Sequence, residues 1–502
     1  MSNQPMCTET QPPHAGTGTG VAGLDDILCG GFTPNRFYLV EGVPGSGKTT
    51  LALQFLLEGV RHGEPVLYVT LSESDAELRA SATGHGWNLD GIHIRELVPS
   101  EEGLLPQEQY TMFHPSEVEL GETTKRILAD VEQLKPKRVV IDSLSELRLL
   151  SGNPLRFRRQ ILAMKQFFSG RESTVMVLDD LTSSERDLQV QSIAHAVISL
   201  EQVNPDFGPD RRRLRVVKYR GKQYRAGFHD YEIIKGGLDV FPRLVAAEHR
   251  QPQKSEQLPS GIPQLDALIG GGIERGTSTL LMGAPGTGKS SLATVFAVAA
   301  ADRGYRACMF IFDENESTLL TRSEGIGIGL KKHVDSGLIR IQAVDPAELS
   351  PGEFAHAIRE AVENDQTQVI VVDSLNGYLN AMPGERFLVI QLHEVLTYLS
   401  QLGVATIMVG AQQGLIGPMT SPVEISYLAD SVILLRYFEL RGEVRQAISV
   451  IKKRSGNHER SIREFRLGKE GIHVGEPLRN FRGVLTGVPI YEEHAPPSGS
   501  AS

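Results

Sequence analysis

An internal duplication constrains the fold of this chain more than any other feature of its sequence. The motif Gly-x-x-x-x-Gly-Lys-Ser/Thr occupies residues 42–49 and returns at 283–290, 241 positions later (283 − 42). The segment Gly20–Asp25 that precedes the first copy is echoed by Gly261–Asp266 at the same offset. Because recurrent blocks in a constant order indicate a repeated structural unit, we expect two similar domains in tandem.

Two further repeated blocks extend the duplication over almost the whole chain of 502 residues. Val139–Leu144 pairs with Ile370–Leu375 (370 − 139 = 231), and Val217–Arg220 pairs with Ile451–Arg454 (451 − 217 = 234). A polar stretch between the halves has the composition of a linker. The predicted divisions are a disordered N-terminus at 1–16, a first domain at 17–246, a linker at 247–258, a second domain at 259–490 and a disordered tail at 491–502.

Within each half, apolar runs alternate with amphipathic segments. Phe37–Val40, Val66–Val69 and Val139–Ile141 are typical of strands buried on both faces. Thr49–Val60 and Glu122–Leu134 have the spacing of amphipathic helices. This alternation predicts an α/β protein with two tandem nucleotide-binding domains, each a mostly parallel twisted sheet flanked by helices.

The duplicated glycine-rich loops have the composition of phosphate-binding loops, each between a predicted strand and a predicted helix. Their glycines let backbone N–H groups close around a phosphate, and the helix that follows offers further N–H groups. The lysine can reach the β- and γ-phosphates, and the next hydroxyl can ligate Mg²⁺. We therefore expect ATP and Mg²⁺ as cofactors. The predicted ATP-binding residues are Gly42, Gly45, Ser46, Gly47, Lys48, Thr49 and Thr50 in the first half, and Gly283, Gly286, Thr287, Gly288, Lys289, Ser290 and Ser291 in the second.

Acidic residues follow the predicted strands that neighbour these loops. Asp142 and Asp373 each end an apolar run, as an acid that orients Mg²⁺ should, so the predicted metal ligands are Asp142 with Thr49 and Asp373 with Ser290. A second acid must position a water or accept a proton. Glu73 and Glu314 follow the next strands at the common offset of 241 (314 − 73). The alternative for Asp142 and Asp373 is a capping aspartate at the strand end, and the alternative for Glu73 and Glu314 is a solvated loop carboxylate.

A basic segment near the end of each half carries a repeated pair of cations. Lys218 and Arg220 lie two residues apart on a predicted strand, and Lys452 and Arg454 repeat the spacing. Cations present in both copies suggest catalytic fingers that reach the γ-phosphate of a neighbouring subunit, which requires a ring or a filament. A solvated strand face and a nucleic-acid stripe are the alternatives.

Charge and composition exclude several other classes. The formal net charge of −10 disfavours a general nucleic-acid partner. The longest apolar run, Leu292–Ala301, has about half the length of a membrane span, so no membrane association is expected. The three widely spaced cysteines predict no disulfide framework, and the polar N-terminus has no apolar leader core. We expect a cytoplasmic protein.

As a set, these motifs resemble the KaiC family, the RecA-like ATPases and autokinases of cyanobacterial circadian clocks. The resemblance rests on the two phosphate loops and on the Gly-x-x-x-Leu-Asp lead into each, and it covers roughly residues 17–489. It implies a double-ring homohexamer with ATP at subunit interfaces, an N-terminal ATPase ring and a C-terminal ring with serine/threonine autokinase activity.

Residue by residue, the resemblance implies further roles in the second half. The adjacent glutamate pair of the family falls on Asp313 and Glu314, which makes Asp313 the general-base position. The phosphorylated Ser-Thr pair of the family falls on Ser426 and Tyr427, so the serine is present and the threonine is replaced by a bulky phenol. A threonine thought to assist phosphotransfer falls on Ser421. We predict phosphorylation at Ser426, with Tyr427 or Ser421 as additional acceptors.

The resemblance also bears on partners and on competing functions. The tail beyond Tyr491 is shorter than the family segment that captures KaiA, so no KaiA-type partner is expected. A KaiB-like protein or a signalling kinase would suit a regulatory, timekeeping or stress-signalling switch. The alternatives are a nucleic-acid motor, since RecA and DnaB relatives use the same ATP core, and a nucleotide-switched scaffold without kinase activity.

Overall fold

The structure is a computed structural model in which two compact units divide the chain, Met1–Arg243 and Leu244–Ser502. Of the predicted terminal segments, residues 1–15 and 492–502 fall outside the described residues, as do residues 249–255 of the predicted linker. The structure describes residues 16–97, 115–181, 188–204, 208–248, 256–345, 347–380, 388–412, 426–484 and 490–491.

A nine-stranded sheet forms the centre of the first unit. Its strands are β1 (Phe37–Gly42), β2 (Val66–Thr70), β3 (His93–Glu96), β4 (Arg138–Asp142), β5 (Thr174–Asp180), β6 (Ala196–Val203), β7 (Arg211–Tyr219), β8 (His229–Ile234) and β9 (Gly237–Phe241). They lie in the order β3-β2-β4-β5-β1-β6-β7-β8-β9. The strands from β3 to β6 run parallel, and β6 to β9 form an antiparallel extension.

Helices cover both faces of this sheet. Successive side chains of a strand point to opposite faces, and in the central strands the side chains on both faces are apolar. Tyr38 and Val40 of β1 belong to one buried cluster, whereas Phe37 and Leu39 belong to the other. The described helices are α1 (Ala22–Ile27), α2 (Lys48–Arg61), α3 (Asp75–Gly84), α4 (Pro115–Leu134), α5 (Leu144–Ser151), α6 (Pro154–Ser169) and α7 (Leu188–Ile193).

The second unit repeats this sheet with the equivalent strand order, β14-β13-β15-β16-β12-β17-β18-β19-β20. Its strands are β12 (Ser278–Gly283), β13 (Ala307–Ile311), β14 (Ile339–Ala343), β15 (Val369–Asp373), β16 (Ala405–Ala411), β17 (Ser431–Leu440), β18 (Glu443–Lys453), β19 (Arg463–Gly468) and β20 (Gly471–Pro477). Short strand pairs β10 (Gln257–Leu258) with β11 (Ile273–Glu274), and β21 (Phe481–Arg482) with β22 (Ile490–Tyr491), lie outside the sheet. The predicted fold class, two tandem RecA-like domains with mostly parallel sheets, is confirmed.

The helices of the second unit again enclose two apolar clusters, one on each face of the sheet. Leu244 and Ala246 lie in one of these clusters, although the predicted boundary assigns them to the first domain. The described helices are α8 (Pro263–Ile269), α9 (Lys289–Ala301), α10 (Glu316–Gly325), α11 (Leu330–Asp335), α12 (Pro351–Glu363), α13 (Leu375–Asn380) and α14 (Leu388–Gln401), with a 3-10 turn at Ala246–Glu248.

Two further sequence expectations concern cysteines and membranes. Cys308 is a buried free thiol, and Cys29 is disulfide-bonded; the sequence predicted no disulfide framework and did not indicate this single bond. In the part of the chain that the structure describes, no helix has the length and apolar character needed to cross a membrane.

The first unit contains one buried histidine whose ring must be neutral in the folded state. His229 on β8 is 1% exposed. Its Nδ1 accepts a hydrogen bond from the N–H of Arg243 at 2.8 Å, and its Nε2 lies 3.0 Å from the carbonyl oxygen of Arg225. These contacts assign the neutral ring with its proton on Nε2, because a proton on Nδ1 would face another N–H group. Burial lowers the pKa of His229 to about 4.

We expect acid to destabilise the first unit through His229. The folded state favours the neutral ring, so the contribution is complete above the ordinary pKa of 6.5 and is lost as pH falls from 6.5 towards 4. The loss of unfolding free energy should be about 3 kcal/mol. Urea titrations from pH 7.5 to 4 can be monitored at Trp87, the single tryptophan of the chain. A His229→Asn variant, which keeps one donor and one acceptor, should show a flatter profile; identical profiles would contradict this role.

Candidate nucleotide-binding sites

The first glycine-rich loop connects β1 to α2, and its glycines are required sterically. Gly47 has φ +87°, and an added Cβ would lie 2.8 Å from Cδ1 of Ile233. At Gly42 an added Cβ would lie 2.5 Å from Oγ of Ser46 and 2.8 Å from the carbonyl oxygen of Leu200. Because α2 begins at Lys48, immediately after the loop, its free N–H groups point into the loop.

Lys48 is held against this loop by backbone carbonyl groups and one carboxylate. Its Nζ donates to the carbonyl oxygens of Gly42 and Val43, each at 3.0 Å. The same nitrogen forms an ion pair with Oδ1 of Asp180 at 2.8 Å. Ser145 holds the other carboxylate oxygen, since its Oγ donates to Oδ2 of Asp180 at 3.1 Å. The ammonium group therefore already has an anionic partner.

Thr49 and Asp142, the predicted metal ligands of the first half, lie together. Oγ1 of Thr49 donates to Oδ2 of Asp142 at 3.2 Å, and the Tyr68 hydroxyl donates to the same oxygen at 2.6 Å. Burial raises the pKa of Asp142, against the hydrogen bonds from Tyr68 and Thr49 that lower it. Glu73 follows β2 nearby, and its pKa is raised by partial burial and then by the charge of Asp142.

A capping box fixes the loop that carries Glu73. Oγ of Ser74 accepts the N–H of Glu77 at 3.3 Å, and the Glu77 carboxylate accepts the N–H of Ser74 at 2.8 Å. This reciprocal pair caps α3, and its N-cap residue Ser74 directly follows Glu73. The acid is thus attached to the end of a buried strand and the start of a capped helix.

The second loop, between β12 and α9, has the same form with different partners. Nζ of Lys289 donates to the carbonyl oxygen of Ala284 at 2.7 Å. Burial lowers the pKa of Lys289 to about 8, although the charge of Asp373 opposes this shift. Oδ2 of Asp373 is buried and, among the described residues, has no hydrogen-bond partner. Burial raises the pKa of Asp373, and the neighbouring hydroxyl of Ser290 opposes this shift.

The two acids after β13 are both engaged by neighbouring side chains. Glu314 forms an ion pair with Arg322 at 2.7 Å, and Asp313 accepts a hydrogen bond from Ser374. Burial raises the pKa of Glu314, and the charge of Arg322 opposes that shift. The position equivalent to Arg322 in the first half is Ser81 (322 − 241), so the two sites differ in the cation beside the acid.

Sequence reasoning missed Asp180, which lies at the end of β5 beside the loop. Strand register pairs Gly42 with Asp180 in the first unit and Gly283 with Ala411 in the second. The available signal was an acid after the apolar run 174–178, the same pattern that identified Asp142. Comparison of the two halves concealed it, because Ala411 replaces the acid in the second copy.

The predicted finger residues do not lie near the loop of their own unit. Lys218 pairs with Val197, which pairs with Leu39, three residues before Gly42 on β1. Lys218 is therefore about 10 Å from Gly42 along the strands and two strand spacings, about 9.6 Å, across the sheet. Its Nζ donates to the carbonyl oxygen of Gln191.

The second unit repeats this displacement of the fingers. Lys452 pairs with Val432, which is level with Leu280, again three residues before the glycine that ends the loop strand. Arg220 and Arg454 each follow the last residue of their strand instead of lying within it, so the predicted strand positions of these two arginines were wrong.

A β-bulge that no residue pattern indicates precedes each finger lysine. The register shifts between Val197 and Ile198 in the first unit, where Val217 is the extra residue. It shifts between Val432 and Ile433 in the second, where Ile451 is extra. Both extra residues are exposed apolar side chains. A bulge redirects the side chains that follow it, which explains why simple strand alternation does not apply here.

The predicted phosphoacceptor segment lies beside the second pair of fingers. Lys452 donates to the carbonyl oxygen of Ser426 at 3.0 Å, and Arg454 donates to that of Tyr427 at 2.9 Å. The Tyr427 side chain is 56% exposed. Ser421 lies outside the described residues. The segment is therefore at the end of the sheet opposite the second glycine-rich loop.

Comparisons with known proteins agree with the duplicated geometry. The family model for KaiC ATPases matches residues 17–245 and again 258–479. The chain is 28% identical to circadian clock protein KaiC3 of Synechocystis sp., over 94% of each chain. It is 28% identical to the circadian clock oscillator proteins KaiC of Parasynechococcus marenigrum (97% of this chain, 96% of the relative) and Thermosynechococcus vestitus (94% and 91%).

Proposed function

This chain belongs to the KaiC family of ATPases, and we propose that it is a homohexameric double ring that hydrolyses ATP at its subunit interfaces. In its second domain it transfers a phosphoryl group to its own serine. It acts as a regulatory, timekeeping or stress-signalling switch whose surface changes with the nucleotide bound. The relatives named above are circadian clock proteins, which supports a timing role as one form of such a switch.

The distance between each finger and its own loop carries the assembly proposal. Lys218 and Arg220 lie at the end of the first sheet opposite the loop, beyond the reach of one side chain. A finger that stabilises the charge developing on the γ-phosphate must approach it closely. The finger must therefore come from another subunit, which supports the assembly of several subunits into a ring.

Magnesium-bound ATP fits the donors that each loop presents. Thr49 with Asp142, and Ser290 with Asp373, offer the hydroxyl and carboxylate oxygens that Mg²⁺ prefers. The buried Oδ2 of Asp373, which lacks a hydrogen-bond partner among the described residues, suits a cation ligand. When bound, Mg²⁺ neutralises charge on the β- and γ-phosphates.

The acids beside the loops supply the remaining chemistry. Glu73 has a raised pKa in a half-buried position, which suits a group that orients a water or accepts its proton. In the second site Asp313 accepts the proton of the acceptor hydroxyl, and Glu314 is held by Arg322. The first site thus has Glu73, and the second has Asp313 together with a Glu314 that is paired with an arginine. This difference in acids supports hydrolysis as the main reaction of the first site and phosphotransfer in the second.

The basic strand β7 supports the interface role over a nucleic-acid role. Arg213 and Arg215 share the carboxylate of Glu201, at 3.1 and 3.7 Å, and both guanidinium groups stack over Phe228. These cations are engaged within the unit and do not form an open stripe. A nucleic-acid-driven motor would require DNA to stimulate ATP hydrolysis, and we expect no stimulation.

Light scattering during size-exclusion chromatography tests the assembly. With saturating non-hydrolysable ATP analogue and Mg²⁺ we expect a hexamer, because a ligand bound between subunits stabilises the assembled state. Removal of nucleotide should shift the protein towards smaller species. A strict monomer at saturating analogue would overturn the proposal that ATP lies between subunits.

Phosphorylation is expected at Ser426 after incubation with Mg·ATP. The segment lies at the opposite end of the sheet from its own loop, so the donor is ATP bound to a neighbouring subunit. Peptide mapping by mass spectrometry should find one phosphate on Ser426, with Tyr427 as the secondary acceptor. Ser426→Ala should lose the main signal, and an unmodified 421–427 peptide in the parent protein would contradict the kinase proposal.

A partner that distinguishes the nucleotide states would be a KaiB-like protein or a signalling kinase. Pull-downs with the ring loaded with ADP and with ATP analogue test this separately from catalysis. Binding to one state alone supports the switch role. Equal recovery in both states would favour a self-contained enzyme.

A further inference from the structure

The two sites differ in one charge at the end of the strand that borders the loop. Asp180 is opposite Gly42 in the first unit, and Ala411 is opposite Gly283 in the second. Asp180 and Ala411 are equivalent by strand pairing as well as by sequence. Each is the partner of the last residue of the strand before the loop, and the two pairs of parallel strands have the same places in their sheets. The first site thus contains a carboxylate for which the second has only a methyl group.

The carboxylate of Asp180 is fixed where it meets the loop lysine. Oδ1 pairs with Nζ of Lys48 at 2.8 Å, and Oδ2 accepts the Ser145 hydroxyl at 3.1 Å. Oγ of Ser145 also accepts a hydrogen bond from the N–H of Asp180 at 3.3 Å. Side chain and backbone of Asp180 are therefore both tied to α5.

The equivalent positions in the second unit are tied without a charge. Asn376, at the position of Ser145 (145 + 231), donates to the carbonyl oxygen of Ala411 at 3.1 Å and accepts its N–H at 2.6 Å. Within the described part of the chain, Lys289 makes no ion pair. The strand end is anchored in the same way, but Lys289 has no counterpart of Asp180, because Ala411 occupies that position.

This charge bears directly on phosphate binding. The Lys48 side chain is 7% exposed and the Asp180 side chain 29% exposed, so the ion pair is partly shielded from water and its attraction is stronger than on an open surface. An incoming β- or γ-phosphate needs the same ammonium group and must approach the fixed carboxylate. Nucleotide binding at the first site therefore has to weaken an existing ion pair and bring two anions together.

We propose that Asp180 is an internal competitor for phosphate, which weakens nucleotide binding at the first site relative to the second. The proposal rests on the proposed function, that both loops bind ATP. As nucleotide becomes scarce, the first site empties before the second. One chain then contains a site that responds to the nucleotide concentration and a site that remains occupied.

Single-site proteins of full length measure the effect. Lys289→Ala leaves the first loop as the reporter, and Lys48→Ala leaves the second. In the Lys289→Ala protein, Asp180→Asn should raise the affinity for a fluorescent non-hydrolysable ATP analogue about five- to tenfold, the effect of a partly shielded ion pair. Asparagine retains an acceptor for Ser145. In the Lys48→Ala protein, Ala411→Asp should lower the affinity by a similar factor.

Glu172→Gln is the matched control, since it also removes one carboxylate. Glu172 lies just before the first residue of β5, whereas Asp180 is the last residue of that strand, and the Glu172 side chain is 79% exposed. We expect unchanged affinity. Thermal unfolding of each variant, followed at Trp87 for the first unit, verifies folding. If neither single-site protein binds the analogue, the proposed function fails. If both bind and Asp180→Asn leaves the affinity unchanged or lowers it, the competitor role is overturned, and so it is if Ala411→Asp has no effect.

Discussion

Replacing Lys48 with alanine should lower nucleotide affinity at the first site at least about a hundredfold and leave the second site unchanged. The lysine supplies a buried positive charge to the β- and γ-phosphates, and charge-assisted contacts in such a shielded position are among the strongest in proteins. Lys289→Ala should have the reciprocal effect. Equilibrium titration with a fluorescent ATP analogue should therefore change from two sites per chain to one in either variant, and to none in the double variant.

The Lys48→Ala change also leaves Asp180 without its cation, which by itself adds a negative charge to the loop. The double variant Lys48→Ala/Asp180→Asn separates the two causes. If the ammonium group itself binds phosphate, affinity stays low in the double variant. Lys137→Ala, which removes an exposed cation paired with Glu172, is the charge control and should bind normally. Two intact sites in the Lys48→Ala protein would contradict the role of the loop.

Much of this architecture was predictable because duplication tests each pattern twice. The loops, the strands before them and the acids Asp142 and Asp373 have a copy at a fixed offset, and the structure brings each set together. The order of strands was not predictable, since apolar periodicity indicates that a strand is buried and does not name its lateral neighbours. Register, which sets the finger positions, depends on that order.

The residues that sequence reasoning missed are those that the repeat or the strand period conceals. Asp180 has no acidic counterpart, so a search for shared positions passed over it. The bulges at Val217 and Ile451 are shared, but a bulge inserts one residue without altering composition. Arg322 reaches Glu314 from α10, a contact between residues eight positions apart that spacing alone does not reveal. The differences between the two sites could therefore be identified only from the structure.

Mixing two inactive variants should restore ATP hydrolysis. Lys48→Ala removes the lysine of the first loop, and Arg220→Ala removes the proposed finger. Each alone, in a Lys289→Ala background that silences the second loop, should retain about 1% of the parent rate or less, since loss of a finger costs roughly three to five orders of magnitude in related phosphoryl transfers. In a randomly mixed ring, an interface works when the loop comes from the Arg220→Ala subunit and the finger from the Lys48→Ala subunit. At a 1:1 ratio this applies to about one interface in four, so about a quarter of the parent rate should return.

Subunit exchange sets the conditions for this experiment. The variants are dissociated by removing nucleotide, mixed, and reassembled with Mg·ATP, and phosphate release is measured against the mixing ratio. Activity should be greatest at equal amounts and fall towards both pure variants. Arg211→Ala replaces Arg220→Ala in the control series; Arg211 lies at the other end of β7, so its variant should be active without mixing. If an Arg220→Ala ring is fully active alone, the finger role of Arg220 is wrong. If both variants are inactive and no ratio restores hydrolysis, loop and finger act within one chain or not at all, and catalysis between subunits is excluded.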